Sequence, residues 1–171
     1  MAAAVSDARD YRSALGTFAT GVTVITTMSD SGAPVGFTAN SFSSVSLEPP
    51  LLLFCLDRGS YSFGHFSKTK TFAVNVLTDR QEDVSAHFAR PSEDKWRHVG
   101  YDLCSVGCPV FADALAVFEC VTHAVHDGGD HIIVVGEVVQ FSHEADVDPL
   151  LYYRGRYARI AAEDSSDGSG R

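Results

Sequence analysis

Residues 36–50 read GFTANSFSSVSLEPP and lie between two apolar runs, VTVITT from Val22 and LLLFCL from Leu51. Thr38, Asn40, Ser41, Ser43, Ser44 and Ser46 crowd short hydroxyl and amide side chains into this interval. Two readings fit. Ser and Asn favour turns, so the stretch reads as a surface connection. Alternatively it lines a ligand rich in oxygen acceptors, which hydroxyl and backbone N–H groups can wrap without a large positive charge. On either reading the flanks are core strands, because β-branched residues dominate 22–28 and the run 51–56 is continuously apolar.

Working outward, the pattern predicts a helix over 7–20, with Asp7 as N-cap, Tyr11, Leu15 and Phe18 at helical spacing, and Gly21 as its stop. Strands are expected at 22–28 and 34–40, joined by the turn Asp30-Ser31-Gly32, and at 51–56 and 72–77, the last two buried on both faces. A short helix is expected over 60–66 and another over 79–88. The stretch 89–107, which holds the single Trp of the chain, reads as a polar excursion. Residues 115–126 and 131–143 form a hairpin through Asp127-Gly128-Gly129-Asp130, and a last strand falls at 156–160. Strands follow one another through short turns, which predicts a mainly β fold, an antiparallel barrel with a few flanking helices. One domain over 9–160 is expected, between a disordered leader (1–8) and a low-complexity tail (161–171).

Charge narrows the choice of partner. The 171 residues carry 13 Lys and Arg against 22 Asp and Glu, a formal net charge of −9. Nucleic acid and anionic membranes call for a clustered basic face, and the basic residues here are scattered. No apolar run approaches the ~20 residues of a membrane span, and the opening MAAAVSDARD is too short and acidic for a signal peptide. Cys55, Cys104, Cys108 and Cys120 sit in or beside apolar sequence, as reduced thiols of a cytoplasmic protein do.

Four further segments bear on chemistry. Arg58-Gly59-Ser60-Tyr61-Ser62 reads either as an anion site at a helix start or as plain capping by Ser60. Asn75 interrupts an apolar strand, so its amide either braces backbone or meets a ligand. Gly128-Gly129-Asp130-His131 allows close approach at a hairpin tip, with Asp130 orienting the His131 ring; a metal held by His126, Asp127, Asp130 and His131 is the rival reading. PLLYYRGRY (149–157) joins aromatic rings to Arg154 and Arg156, a combination that stacks bases and pairs phosphates, or simply returns aromatics to the core. No nucleophile–base triad, Walker loop or G-x-G-x-x-G turn is present. A cofactor that performs the electron chemistry suits such a chain, and the hydroxyl-rich interval suits the ribityl-phosphate arm of a flavin.

Together the segments YRSALGTFATGVTVITT, GFTANSFSSVSLEPPLLLFC, FAVNVL, DGGDH and PLLYYRGRY, in this order, resemble the short-chain flavin reductases, the reductase components of two-component flavin-dependent monooxygenases. The resemblance spans roughly residues 10 to 160. It implies the FMN-binding split β-barrel fold and NAD(P)H:flavin oxidoreductase activity, with FMN or FAD and NADH or NADPH as cofactors. It further implies a homodimer and a partner oxygenase or halogenase that receives reduced flavin. By the same resemblance Thr38, Ala39, Asn40 and Ser41 meet the flavin ring; Ser44, Val45, Ser46, Cys55 and Leu56 its edge and ribityl chain; and Ser60 the phosphate side. Phe88, Ala89 and Arg90 reach the phosphate or adenylate end, while His131, Tyr153 and Arg154 belong to the nicotinamide site. The alternative of another class is a non-catalytic flavin-binding sensor on the same barrel.

Overall fold

A computed structural model describes residues 7–92 and 94–161. The expected leader and tail fall almost wholly outside them. Helix α1 (Ala8–Leu15) leads into β1 (Thr20–Gly21) and β2 (Thr23–Met28), followed by β3 (Pro34–Ala39), β4 (Ser43–Leu47) and β5 (Pro50–Asp57). The short α2 (Phe63–Phe66) precedes β6 (Thr71–Val76), after which comes α3 (Glu82–Ala89). A small pair, β7 (Asp102–Leu103) and β8 (Pro109–Val110), introduces the long hairpin β9 (Ala116–Gly128) and β10 (His131–His143). Strands β11 (Leu151–Tyr153) and β12 (Arg156–Ala158) end the described chain.

The main sheet has seven strands in the order β3-β2-β6-β9-β10-β5-β4, antiparallel throughout. Its two edges, β3 and β4, are consecutive in sequence and joined only by Asn40, Ser41 and Phe42. Laid flat, strands spaced ~4.8 Å apart would separate those edges by roughly 29 Å. Four Cα steps reach about 14 Å at most. The sheet therefore has to curl until its ends meet, and the antiparallel barrel expected from sequence is what forms. Ser41 fastens the seam: its hydroxyl donates to the Cys55 carbonyl and accepts from the Cys55 N–H, both at 3.0 Å.

Inside the barrel, Ile25, Phe37, Phe54, Phe66, Phe72, Val74 and Val134 are buried, and Phe54 sits edge-on to Phe66 and Phe72 at centroid distances of 5.8 and 5.1 Å. A second cluster, with Val24, Leu77, Phe88, Phe111 and Leu150, covers the outer face of β2 beneath α3. Strand β2 is thus buried on both sides, and its threonine hydroxyls are all satisfied: Thr23 donates to Ala39 O (2.7 Å), Thr26 to Pro109 O (2.5 Å) and Thr27 to Thr71 O (2.7 Å). Asn75 is fully buried. Its amide donates to Val24 O at 3.1 Å and its carbonyl accepts from Phe111 N at 3.0 Å, so this residue braces the outer layer and meets no ligand.

Several expectations shift. Strand β5 alternates, with Leu52, Phe54 and Leu56 inward and its other face partly open. Helix α1 keeps Asp7 as N-cap but stops at Gly16, because Thr20 and Gly21 are claimed by pairing with β11. Tyr11, Leu15 and Phe18 consequently remain exposed. The cap position of α2 is Ser62 and not Ser60.

Gly136 of β10 is fixed by packing. A Cβ there would lie 2.3 Å from Phe72 Cζ and 3.0 Å from Cys120 Cβ. Gly136→Ala is expected to destabilise the barrel by about 1–3 kcal/mol through overpacking, read from the midpoint of chemical unfolding. An unchanged midpoint would show that Phe72 moves aside freely.

Candidate functional site

The closure at Asn40–Phe42 brings strand ends and loops around one cavity of about 410 Å³, within the size range of small-molecule sites. Of the residues singled out in the sequence, Thr38, Ala39, Asn40, Ser41, Cys55, Leu56, Ser60, Phe88, Ala89, Arg90 and His131 line it. They come from five separate parts of the chain, and the barrel seam is what gathers them.

Some of these groups build the wall. Thr38 donates its hydroxyl to Ser85 O at 2.6 Å, locking α3 against β3 and so aiming Phe88, Ala89 and Arg90 at the cavity. Ser41 is committed to the seam. Burial raises the pKa of Cys55, so its thiol stays protonated at neutral pH and is no nucleophile. In the turn after β5, Asp57 accepts from Gly59 N at 2.7 Å and Ser60 Oγ accepts from Ser62 N at 3.2 Å, leaving the Ser60 hydroxyl proton free to donate. Asn40 is exposed at the rim.

Arg58 does not face this cavity as an anion ligand. Its Nε donates to Gly129 O at 3.0 Å, its Nη2 to Asp127, and its backbone N–H to Asp130 O at 3.0 Å. It therefore clamps the β9–β10 tip, where Gly129 takes a φ of 79° that suits glycine. The clamped tip presents His131, whose Nδ1 donates to Asp130 Oδ1 at 2.7 Å. The hydrogen bond to His131 and the charge of that ring hold the Asp130 carboxyl below the ordinary carboxylate range. Asp130 is thus ionised throughout neutral pH and fixes the ring, with Nε2 as its other polar atom.

Ser44, Val45 and Ser46 do not line the cavity. They lie on edge strand β4, which hydrogen-bonds along β5 away from the seam. Tyr153 and Arg154 are also absent from the lining: they sit at the β11–β12 turn, with Arg154 N bonded to Gly16 O at 2.8 Å and its guanidinium 5.1 Å from the Tyr153 ring. Among the described residues no group of three or more His, Cys, Asp or Glu is placed to hold a metal, and Asp127 is engaged by Arg58.

Sequence reasoning missed Asp57 and, above all, Lys95, both of which line the cavity. Lys95 is only 7% exposed. A lysine in a polar excursion reads as solvated, and nothing local in 89–107 marks it as buried. A larger cavity of about 870 Å³ opens on the other side of Phe88, between α3 and residues 97–113, but Phe88 is the one residue it shares with the set above.

Both the sequence and the fold that closes this cavity are similar to those of known proteins. The sequence fits the flavin reductase like domain over residues 15–161. The chain belongs to this family. It is 48% identical over 157 residues to a probable flavin reductase of Rhizobium meliloti, covering 92% of this chain and 50% of that protein. Against the reductase subunit of a flavin-dependent monooxygenase from Mycobacterium tuberculosis it is 45% identical over 159 residues, 92% of this chain and 84% of the other. The solved NADH:FAD oxidoreductase of Streptomyces globisporus C-1027, in complex with NAD and FAD fragments, superposes with a TM-score of 0.86 at 38% identity, covering 95% of this chain and 99% of that one. The fold is the mainly β, antiparallel split barrel of the flavin reductases.

For this flavin reductase like domain, Arg58→Ala is expected to raise amide exchange at Gly128–His131 about tenfold. Global stability should change by less than about 1 kcal/mol, as for exposed ion pairs. Unaltered exchange at the tip would show that the hairpin holds itself.

Proposed function

We propose that the protein is a flavin reductase that uses NADH, or NADPH, to reduce FMN or FAD for a separate oxygenase or halogenase. The observation that carries this reading is the convergence of the Thr38–Ser41 strand end and the clamped His131 on one cavity, in a chain of this family. Support for the oxygenase partner comes from relatives that are reductase components of flavin-dependent monooxygenases. Among the described residues no helix is long and apolar enough to cross a membrane.

The residues present suit a flavin. The donor set combines neutral hydroxyl and amide groups with two cations, Arg90 and the buried Lys95, at the α3 side. Ring heteroatoms and a ribityl chain match the first kind of group and a phosphate the second. When bound, a flavin supplies hydride acceptance from a reduced nicotinamide and then carries the electron pair away. Around it, Thr38, Ala39, Asn40 and Ser41 form the floor, Cys55 and Leu56 the adjoining wall, and Ser60 with Arg90 the anion side. His131, its ring fixed by Asp130, positions the nicotinamide through its remaining face and Nε2. Ser44, Val45, Ser46, Tyr153 and Arg154 lie outside this lining, so in our reading their contribution to binding comes from elsewhere on the surface, including the face met by a second copy.

That second copy is the occupant we propose for the open apolar surface. Phe18 is 77% exposed, Leu47 95% and Phe141 64%, large apolar side chains that a second copy would cover. Light scattering is expected to give twice the chain mass at micromolar concentration; a monomer across that range would refute the homodimer.

Purified protein supplied with FMN or FAD is expected to oxidise NADH, read as loss of absorbance at 340 nm. His131→Ala should lower kcat/KM for NADH at least tenfold while leaving the flavin dissociation constant within about twofold. No flavin-dependent oxidation with either flavin and either nicotinamide would refute the enzyme and leave a flavin-binding barrel.

A further inference from the structure

Helix α3 is short, and little in its own sequence holds it in place. It has eight residues, its N-cap Gln81 gives it no side-chain bond, and helices under about 12 residues are marginal by themselves. Its last turn nevertheless supplies Phe88 and Ala89 to the flavin cavity, with Arg90 just beyond. The placement of that wall has to come from tertiary ties.

Two such ties meet at Ser85, three residues before Phe88. Thr38, on the cavity floor, donates its hydroxyl to the Ser85 carbonyl at 2.6 Å. From the other direction, the Ser85 hydroxyl shares a hydrogen bond of 2.8 Å with the Tyr157 hydroxyl. Ser85 is fully buried, so its hydroxyl depends on this partner inside the protein.

Tyr157 is itself fixed by the far end of the chain. It stands opposite Tyr152 in the β11–β12 pair, with the two rings edge to face at 5.6 Å. Strand β11 pairs in turn with β1, and the bond from Arg154 N to Gly16 O holds the β11–β12 turn against the end of α1. Segment 149–157 thus returns aromatics to the core, and through Tyr157 it reaches α3. Tyr157, Ser85 and Thr38 form one line of contacts that ends at the cavity floor.

Resting on the flavin reductase reading, we propose that Tyr157 is a positioning residue for flavin. Its hydroxyl holds Ser85, and with it the last turn of α3, where Ala89 and Arg90 close on the cofactor. Tyr157 does not line the cavity, so its effect falls on flavin binding and not on hydride transfer once flavin is seated. The nicotinamide side is spared as well, because the tip that carries His131 is tied down through Arg58 and not through α3.

Tyr157→Phe keeps the ring and its packing and removes only the oxygen. Titration with FMN and with FAD is expected to show the flavin dissociation constant raised about fivefold, the weight of one ordinary hydrogen bond. At saturating flavin, kcat and the KM for NADH should stay within about twofold, whereas a general loosening of the fold would move them too. Trp96, the single Trp of the chain, packs on Phe88 at 4.9 Å and reports on the helix; its emission in the flavin-free variant should shift to the red. Ser85→Ala breaks the same bond from the other side and leaves the carbonyl that Thr38 uses. It should weaken flavin equally, and adding Tyr157→Phe to it should contribute less than about a further twofold. If Tyr157→Phe fails to fold, Ser85→Ala decides alone. Flavin affinity within about twofold of the unaltered protein in these variants would overturn the proposal and leave the reductase reading intact. So would losses that multiply in the double variant, a kcat that falls in step with affinity, or an unmoved Trp96 emission, each of which gives Tyr157 another role. An unaltered protein that binds neither flavin would overturn both readings together.

Discussion

Three residues joining the two edges of a seven-stranded sheet are the constraint on which this molecule depends. Asn40, Ser41 and Phe42 are too few to cross a flat sheet, so the sheet must roll up, and the doubly bonded Ser41 hydroxyl pins the closure to Cys55. Closure has two consequences at once. It encloses the phenylalanine-rich core, and it leaves a notch where β3 and β5 both end. The core supplies the stability and the notch supplies the site, so neither can be altered without the other.

Around that notch, polar groups divide into those that hold the protein and those that face outward. Thr38 ties α3 to β3, Asp57 shapes the turn behind Ser60, and Arg58 secures the hairpin tip that carries His131. What remains for a guest is a band of hydroxyl, amide and imidazole groups with Arg90 and Lys95 at one end. The chain as a whole is acidic, at −9. A local pair of cations on such a surface gives an anionic cofactor a defined end to approach, because net charge repels it elsewhere.

The strands, the long β9–β10 hairpin and the mainly β class were legible because period, β-branching and glycine-bearing turns are local signals. The hydroxyl-rich interval and the Asp130–His131 pair were legible for the same reason, since neighbours in sequence can be judged together. The clamp made by Arg58 was not legible, because its partners, Asp127 and Gly129, are about seventy positions away. Lys95 was passed over because burial of a loop lysine follows from how Trp96 and Phe88 settle on Gly36 and from nothing in its own neighbourhood.

The sequence alone determined that 22–28, 34–40, 51–56, 72–77 and the long hairpin become strands, though not that Ser43–Leu47 forms β4, and which short polar side chains stand near a strand end. These follow from backbone preference and hydrophobic period, both properties of a few consecutive residues. Only the tertiary structure decided that β3 and β5 meet at a seam, that Ser44, Val45 and Ser46 run off along an edge strand, and that a buried lysine lines the cavity. Those outcomes come from closing one sheet on itself, and closure is set by the reach of the link and the packing of rings far apart in the chain.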